Sequence, residues 1–232
     1  MAAGVGSRFG AHTQKKPKGF VCVGGTPMIV RSIENLLCIG IEKIIIGTGH
    51  QSSYYEELTK TYPQIVCCKS DKYAETNSMY TLCCCSDLIG DDDFLLLESD
   101  LIYERKALTI LMESDDPTTM LVTPPAKQQD GYYLFADDGL LSGCTTDIDV
   151  KDQCKGELVG IHKLSNRTYK KMHDWYGGIW QQQPKLGYEY ALLEISKQGE
   201  KIHLTKENLF WYEIDDEADL LYAEKFIVPY ID

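Results

Sequence analysis

Short apolar runs alternate with stretches of helical periodicity through the first half of this chain, and that alternation narrows the possible folds more than any other feature. Residues 41–47 form one apolar run, residues 65–68 another, and Asp93-Phe94-Leu95-Leu96-Leu97-Glu98 the most strand-like of all. Runs of this length suit strands buried on both faces. Between them, Thr26-Pro27 offers an N-cap hydroxyl and a proline at the first helical position. Ile29, Ile33, Leu36 and Leu37 then share a face, and Gly40 closes the helix. Ser52 and Ser53 can cap a second helix through Lys60, and residues 76–88 predict a third with Met79, Leu82 and Cys83 inward. Strands alternating with helices predict βαβ units and an α/β fold, a mixed, mostly parallel doubly wound sheet with helices on both faces.

After Pro124-Pro125 the pattern changes. Residues 132–135 and 140–144 flank Ala136-Asp137-Asp138-Gly139, a hairpin signal with Asp-Gly at the turn. Residues 156–162 predict a strand, and Ser165 caps a helix running to Tyr176. A helix follows over 188–197, an extended stretch over 201–204, a strand over 209–214, and a helix that opens at Asp215-Asp216-Glu217 and runs to Phe226. No repeat, low-complexity tract or long linker interrupts the chain, so residues 1–232 are expected to form a single domain.

The 232 residues carry a net charge of −12, so no broad basic face is available for nucleic acid or an anionic membrane surface. Positive charge is local, at Arg8, Lys15, Lys16 and Lys18, which fits a small anionic ligand. The nine cysteines are odd in number and cluster as Cys67-Cys68 and Cys83-Cys84-Cys85. Without a C-x-x-C pair they read as buried, reduced thiols in a cytoplasmic protein. No apolar run approaches a membrane span of ~20 residues.

Positive charge gathers at a glycine-rich stretch, Ala2-Ala3-Gly4-Val5-Gly6-Ser7-Arg8-Phe9-Gly10. Small residues let a backbone turn its N–H groups toward one anion, as phosphate-cradling loops do. Arg8 adds a fork of donors, and Lys16 and Lys18 add point charges. A surface turn beside a basic patch explains the same residues. The stretch is neither a P-loop nor a dinucleotide fingerprint, since it lacks G-x-x-x-x-G-K-[ST] and the third glycine of G-x-G-x-x-G. Loops of this type usually follow a buried strand, yet only Met1 precedes Ala2, so a first strand that is cut short is expected here.

Asp100 follows the strand-like run over 93–98, and Asp215 follows Trp211-Tyr212-Glu213-Ile214. In open α/β sheets ligands gather at the carboxyl ends of strands, where two such aspartates can meet around one Mg²⁺. Either aspartate can instead cap a following helix. The five histidines show no paired metal-ligand spacing, and no serine or cysteine sits in a nucleophile motif.

Taken together, residues 2–9 with Lys16-Pro17-Lys18 resemble the signature of nucleotidylyltransferases with a GT-A-like, nucleotide-diphospho-sugar transferase fold. Within that superfamily, residues 72–81, 97–103, 156–161 and 213–217 look like the CTP-dependent cytidylyltransferases acting on 2-aminoethylphosphonate and phosphocholine, the former more closely. The resemblance runs from residue 2 to about residue 224. It implies transfer of CMP from CTP to 2-aminoethylphosphonate with release of pyrophosphate; alternatives are phosphocholine or phosphoethanolamine as acceptor, or a non-catalytic nucleotide-binding module.

By the same resemblance, Ala3, Gly4, Val5, Gly6, Ser7 and Arg8 hold the triphosphate, and Lys18 and Arg8 act at the reaction centre. Ala74, Thr76 and Ser78 lie against cytosine and ribose, and Asp100 and Asp215 ligate Mg²⁺. Asn77 departs from the smaller residue expected at its position. For the acceptor's ammonium, Tyr132, Glu157, Trp180, Tyr188 and Glu189 are candidates, with core aromatics and solvated carboxylates as the plain alternatives. Partners are then CTP and a small amino-phosphonate or phospho-amino-alcohol, with no nucleic acid and no membrane insertion. A homodimer and a fused neighbouring domain both stay open.

Overall fold

The computed structural model of the chain describes residues 1–6, 8–9, 16–125 and 131–231. The chain, expected to form one domain, divides by its contacts into two compact units whose segments alternate along the sequence. The first comprises Met1–Gly90, Glu98–Arg105 and Phe210–Asp232, and the second Asp91–Leu97 and Lys106–Leu209. Among the described residues no helix is long and apolar enough to cross a membrane.

In the first unit, strand Ile44–Thr48 pairs in parallel with Ile65–Lys69. Ala2 adds a single parallel bridge to Thr48, its N–H donating to the Gly47 carbonyl at 2.8 Å. Helix Met28–Cys38 buries Met28, Ile29, Ser32, Ile33, Asn35 and Leu36, the expected face with Leu37 half-buried. It begins later than expected, with Pro27 rather than Thr26 at the cap position. Thr26 and Pro27 pair with Val23 and Cys22 instead, across Gly24 and Gly25, whose φ angles are +61° and +83°. Two such glycines make the tight turn of a two-residue hairpin, which uses the backbone of Thr26 before the helix can start.

The helix expected over 76–88 is two short ones, Ser78–Cys84 and Ser86–Ile89. At Cys85 ψ is −1°, and its N–H bonds the Leu82 carbonyl three residues back, which breaks the α-helical ladder. Asn77 is the N-cap, its side chain accepting from the Ser78 N–H at 2.8 Å.

A core of Phe9, Val21, Val23, Met28, Ile102, Ile214, Ala223 and Ile227 joins residues from all three segments of this unit. Burying an aliphatic or aromatic side chain of this size contributes about 1.5–3 kcal/mol, so the cluster fixes the segments against each other.

The second unit holds a six-stranded sheet, in the order Phe94–Leu97, Gly156–Leu164, Thr119–Thr123, His203–Lys206, Leu140–Thr145 and Tyr133–Asp137. Pairing returns from Tyr133–Asp137 to the start of Gly156–Leu164. The chain thus has the mixed α/β fold expected. Within this sheet only Thr119–Thr123 and His203–Lys206 run parallel. The long strand Gly156–Leu164 runs antiparallel to three neighbours, so the mixed sheet carries its antiparallel pairs in this unit, while Ile44–Thr48 and Ile65–Lys69 of the first unit pair in parallel.

The expected hairpin lies between Tyr133–Asp137 and Leu140–Thr145, with Asp138 and Gly139 at φ +50° and +80°. Both central residues at positive φ give the turn whose twist matches the strands. Ser165 caps helix Asn166–Gly177 by accepting from the Thr168 N–H, and Tyr188–Lys197 is helical over the expected span.

Candidate active site

Asp100 and Asp215 come together because of one strand pair. Leu101–Tyr103 runs antiparallel to Trp211–Glu213 with Leu101 opposite Glu213, and the Ile214 N–H donates to the Asp100 carbonyl at 2.9 Å. The pair brings Asp100, one residue before its strand, against the Ile214-Asp215 end of the other. The alternative reading of Asp215 as a helix cap does not hold. Asp216 is the N-cap of Glu217–Phe226, accepting from the Asp219 N–H, which leaves the Asp215 carboxylate for the site. The Asp215 backbone N–H is itself bonded by Asp219 Oδ2 at 2.9 Å.

Lys18 occupies the space between the two aspartates. It opens the 3-10 turn Lys18–Phe20, and its Nζ lies 2.5 Å from Asp100 Oδ2 and 2.5 Å from Asp215 Oδ1. Burial alone would lower the ammonium pKa. The charges of Asp100 and Asp215, with their hydrogen bonds, outweigh it and hold the group above the ordinary lysine value. Lys18 is therefore not a mobile point charge but a fixed cation. Lys16, by contrast, is exposed.

Arg8 reaches the same carboxylate, Nη2 to Asp215 Oδ1 at 2.9 Å, with its own side chain 56% exposed. Its neighbour Phe9 is buried beside Ile214, which fixes the end of the glycine-rich loop next to Asp215. Within that loop the Ala3 carbonyl accepts from the His50 N–H at 3.2 Å, Gly6 takes φ +63°, and Val5 is exposed. Ser7, Gly10, His12 and Lys15 lie outside the described residues.

The carboxylates grouped closely enough to share a cation differ from the expected pair, joining Asp100 to two glutamates without Asp215. Glu98, Asp100 and Glu213 can each place a carboxylate oxygen within 4.8 Å of the others. Glu98 and Glu213 were not singled out from sequence, although each lies two residues from an aspartate that was. A donor set of oxygens alone, all from carboxylates, fits a hard divalent cation such as Mg²⁺.

Of the expected base-side residues, Ala74 is exposed, Thr76 buried and Ser78 half-buried at the start of its helix. The Thr76 hydroxyl donates to the Lys72 carbonyl at 2.7 Å, which closes the 72–76 turn. Its donor is used within the chain, and its oxygen can still accept.

The acceptor candidates lie in the second unit. Glu157 and Glu189 are 1% and 5% exposed, which removes the reading of both as solvated carboxylates. Burial pushes the Glu189 carboxyl up, against hydrogen bonds from its own backbone N–H and the Tyr132 side chain. Tyr132 packs edge-on to Tyr190, with ring centroids 6.0 Å apart. A Cβ on Gly187 would lie 2.0 Å from Glu189 Oε1, so the carboxylate folds back over the start of its own helix. Glu157 lies against Gly131 and, after burial itself, its charge raises the Tyr133 phenol. Tyr188 is fully buried, its hydroxyl 3.0 Å from His162 Nε2. Trp180 is half-buried in the turns after Asn166–Gly177.

The cysteines are all free thiols, but only Cys85 is buried; Cys22 and Cys38 are exposed and the rest intermediate. The expectation of buried small apolar residues is corrected for those eight.

Residues 1–161 match the profile of the MobA-like NTP transferase domain. An 82-residue stretch is 34% identical to a 2-aminoethylphosphonate cytidylyltransferase of Lancefieldella rimae, and 81 residues are 37% identical to a choline-phosphate cytidylyltransferase of Haemophilus influenzae. Each match covers 35% of this chain and about a third of the relative, 33% and 34% respectively. The fold is similar to that of an inositol-1-phosphate CTP transferase from T. maritima (TM-score 0.80, 17% identity, 94% of this chain and 88% of that one). It is also similar to a CTP:phosphocholine cytidylyltransferase from Streptococcus pneumoniae (TM-score 0.78, 21% identity, 97% and 95%). At these identities the likeness is one of fold.

Proposed function

The chain belongs to the MobA-like NTP transferase family, and from that premise we propose that it is a cytidylyltransferase moving CMP from CTP to 2-aminoethylphosphonate. The carrying observation is Lys18, a fixed cation shared by Asp100 and Asp215 beside a glycine-rich loop that ends in Arg8. In this reading a phosphonate oxyanion forms a bond to the α-phosphorus of CTP in line with the bond that breaks. Pyrophosphate leaves with that electron pair, and no external base is required. Phosphoryl-type transfer depends on positioning and charge neutralisation rather than covalent chemistry. Lys18 neutralises charge gathering on the α-phosphate oxygens, Ala3–Gly6 backbone and Arg8 hold the leaving group, and residues 74–78 take the nucleoside.

Asp100 and Asp215, with Glu98 and Glu213 beside them, would hold Mg²⁺, which when bound neutralises phosphate charge and orients the triphosphate.

For the acceptor, Glu189 with Tyr132, together with the buried Glu157, supports a primary ammonium, for which carboxylates and hydrogen bonds are suitable partners. Aromatic residues Tyr132, Tyr188 and Trp180 support a second reading with phosphocholine, whose quaternary ammonium suits aromatic faces. A pyrophosphate-release assay with CTP and Mg²⁺ against 2-aminoethylphosphonate, phosphocholine, phosphoethanolamine and glucose 1-phosphate separates them. Turnover confined to the aminophosphonate is the expected result. Preference for phosphocholine moves the acceptor, and silence on all four with CTP still bound favours a non-catalytic binding module.

A further inference from the structure

Tyr55 is fully buried on the short helix Ser53–Leu58 and belongs to none of the groups assigned above. Its hydroxyl lies where two catalytic segments meet. A Cβ built on Gly19 would be 3.0 Å from the Tyr55 oxygen and 3.3 Å from the Ser99 carbonyl oxygen. The Gly19 backbone N–H donates to the phenol oxygen, and the Ser99 hydroxyl pairs with it. Gly19 is the residue after Lys18, and Ser99 the residue before Asp100. One oxygen atom therefore ties the backbone carrying the cation to the backbone carrying its partner carboxylate. Phe20 packs edge-on against the Tyr55 ring, at 5.2 Å between centroids, and holds the ring in place. Burial, with the Asp100 charge adding to it, raises the phenol above its ordinary pKa, so it stays protonated and serves as a strut rather than a base.

We propose that Tyr55 is a positioning residue that sets the Lys18–Asp100 geometry through the Gly19 N–H and the Ser99 hydroxyl. The proposal rests on the transferase reading for its kinetic consequence, but the placement of Lys18 can be read without turnover. Tyr55→Phe keeps the ring and removes the oxygen, and Ser99→Ala removes one of its two hydrogen-bond partners. In Tyr55→Phe, kcat should fall about tenfold with KM for CTP within twofold, since a lost hydrogen bond that aligns reacting groups acts mainly on the transition state. Ser99→Ala should show the same split, more weakly.

The independent readout is amine-selective acylation of the ligand-free protein, with Lys18 modification followed by peptide mass spectrometry. Lys18 in the native protein should be protected relative to exposed Lys16, and Tyr55→Phe should raise its labelling several-fold while Lys16 is unchanged. Tyr54→Phe, on the same helix and also against Phe20, is the control and should leave Lys18 labelling as in the native protein. Unchanged Lys18 labelling in Tyr55→Phe overturns the positioning role whatever the kinetics. Raised labelling in a protein that turns over no acceptor upholds that role and refutes the transferase reading instead.

Discussion

Lys18→Met tests the centre of the site through stability rather than turnover. In the native chain Lys18 Nζ is 2.5 Å from both Asp100 and Asp215, whose side chains are 20% and 5% exposed. Methionine keeps the length of the side chain and removes the charge, leaving two adjacent carboxylates without their shared cation. Removing one partner of a buried ion pair costs about 3–5 kcal/mol. Asp100 is partly solvated and Arg8 still reaches Asp215, so the lower end, about 3 kcal/mol, is expected. For a chain of this size that corresponds to a fall in Tm of roughly 6–12 °C. Two unneutralised carboxylates beside Glu98 and Glu213 should also bind a divalent cation more tightly. Mg²⁺ at about 100 times its Kd would then return about 2.7 kcal/mol. Thermal melts in EDTA and in excess Mg²⁺, native against variant, measure both effects. A variant as stable as the native chain in EDTA, or one with no greater response to Mg²⁺, refutes the shared-cation arrangement.

Arg8→Ala should change Tm by less than about 2 °C, because the Arg8 side chain is largely solvent-exposed and Lys18 still neutralises Asp215, yet raise KM for CTP about tenfold; melts and initial rates check both. His162 is fully buried, and burial lowers its pKa to about 3. The unfolded chain therefore binds a proton below about pH 6.5 that the folded chain refuses, and stability is lost from there toward pH 3 at no more than about 1.4 kcal/mol per pH unit. His162→Gln should flatten that acid limb in denaturant titrations between pH 6.5 and 4. Glu189, whose carboxyl is raised by burial, costs stability above its unfolded pKa. Glu189→Gln should thus raise Tm at pH 8 more than at pH 4, while raising KM for the aminophosphonate and not for CTP.

Local chemistry made part of this structure legible in advance. Asp138-Gly139 dictates a tight hairpin turn, Ser165 supplies a cap, and the 188–197 periodicity sets a helix, all within a few residues. Gly24-Gly25 is an equally local turn signal, but it competes with Thr26-Pro27, which also fits a helix start. What local pattern could not supply was pairing across distance. Leu101–Tyr103 meets Trp211–Glu213 more than a hundred residues along the chain, and that register gathers Glu98, Asp100 and Glu213 and brings Asp215 to the Lys18 that Asp100 also holds. Strand direction is a property of partners too. Residues 94–97 look like a buried strand in either orientation, and it is Gly156–Leu164 that makes the pairing antiparallel. Lys18 was legible as a basic residue near a phosphate loop, but not as the cation two aspartates share.

The most direct test of the central claim is the phosphorus-31 NMR spectrum of CTP, 2-aminoethylphosphonate and Mg²⁺ incubated with the protein. The account predicts a new phosphonate–phosphate anhydride, with its two coupled resonances appearing in equal amount to pyrophosphate, and no such product with Lys18→Met. Consumption of CTP to CMP or CDP without that anhydride, or no change while CTP is bound, contradicts it.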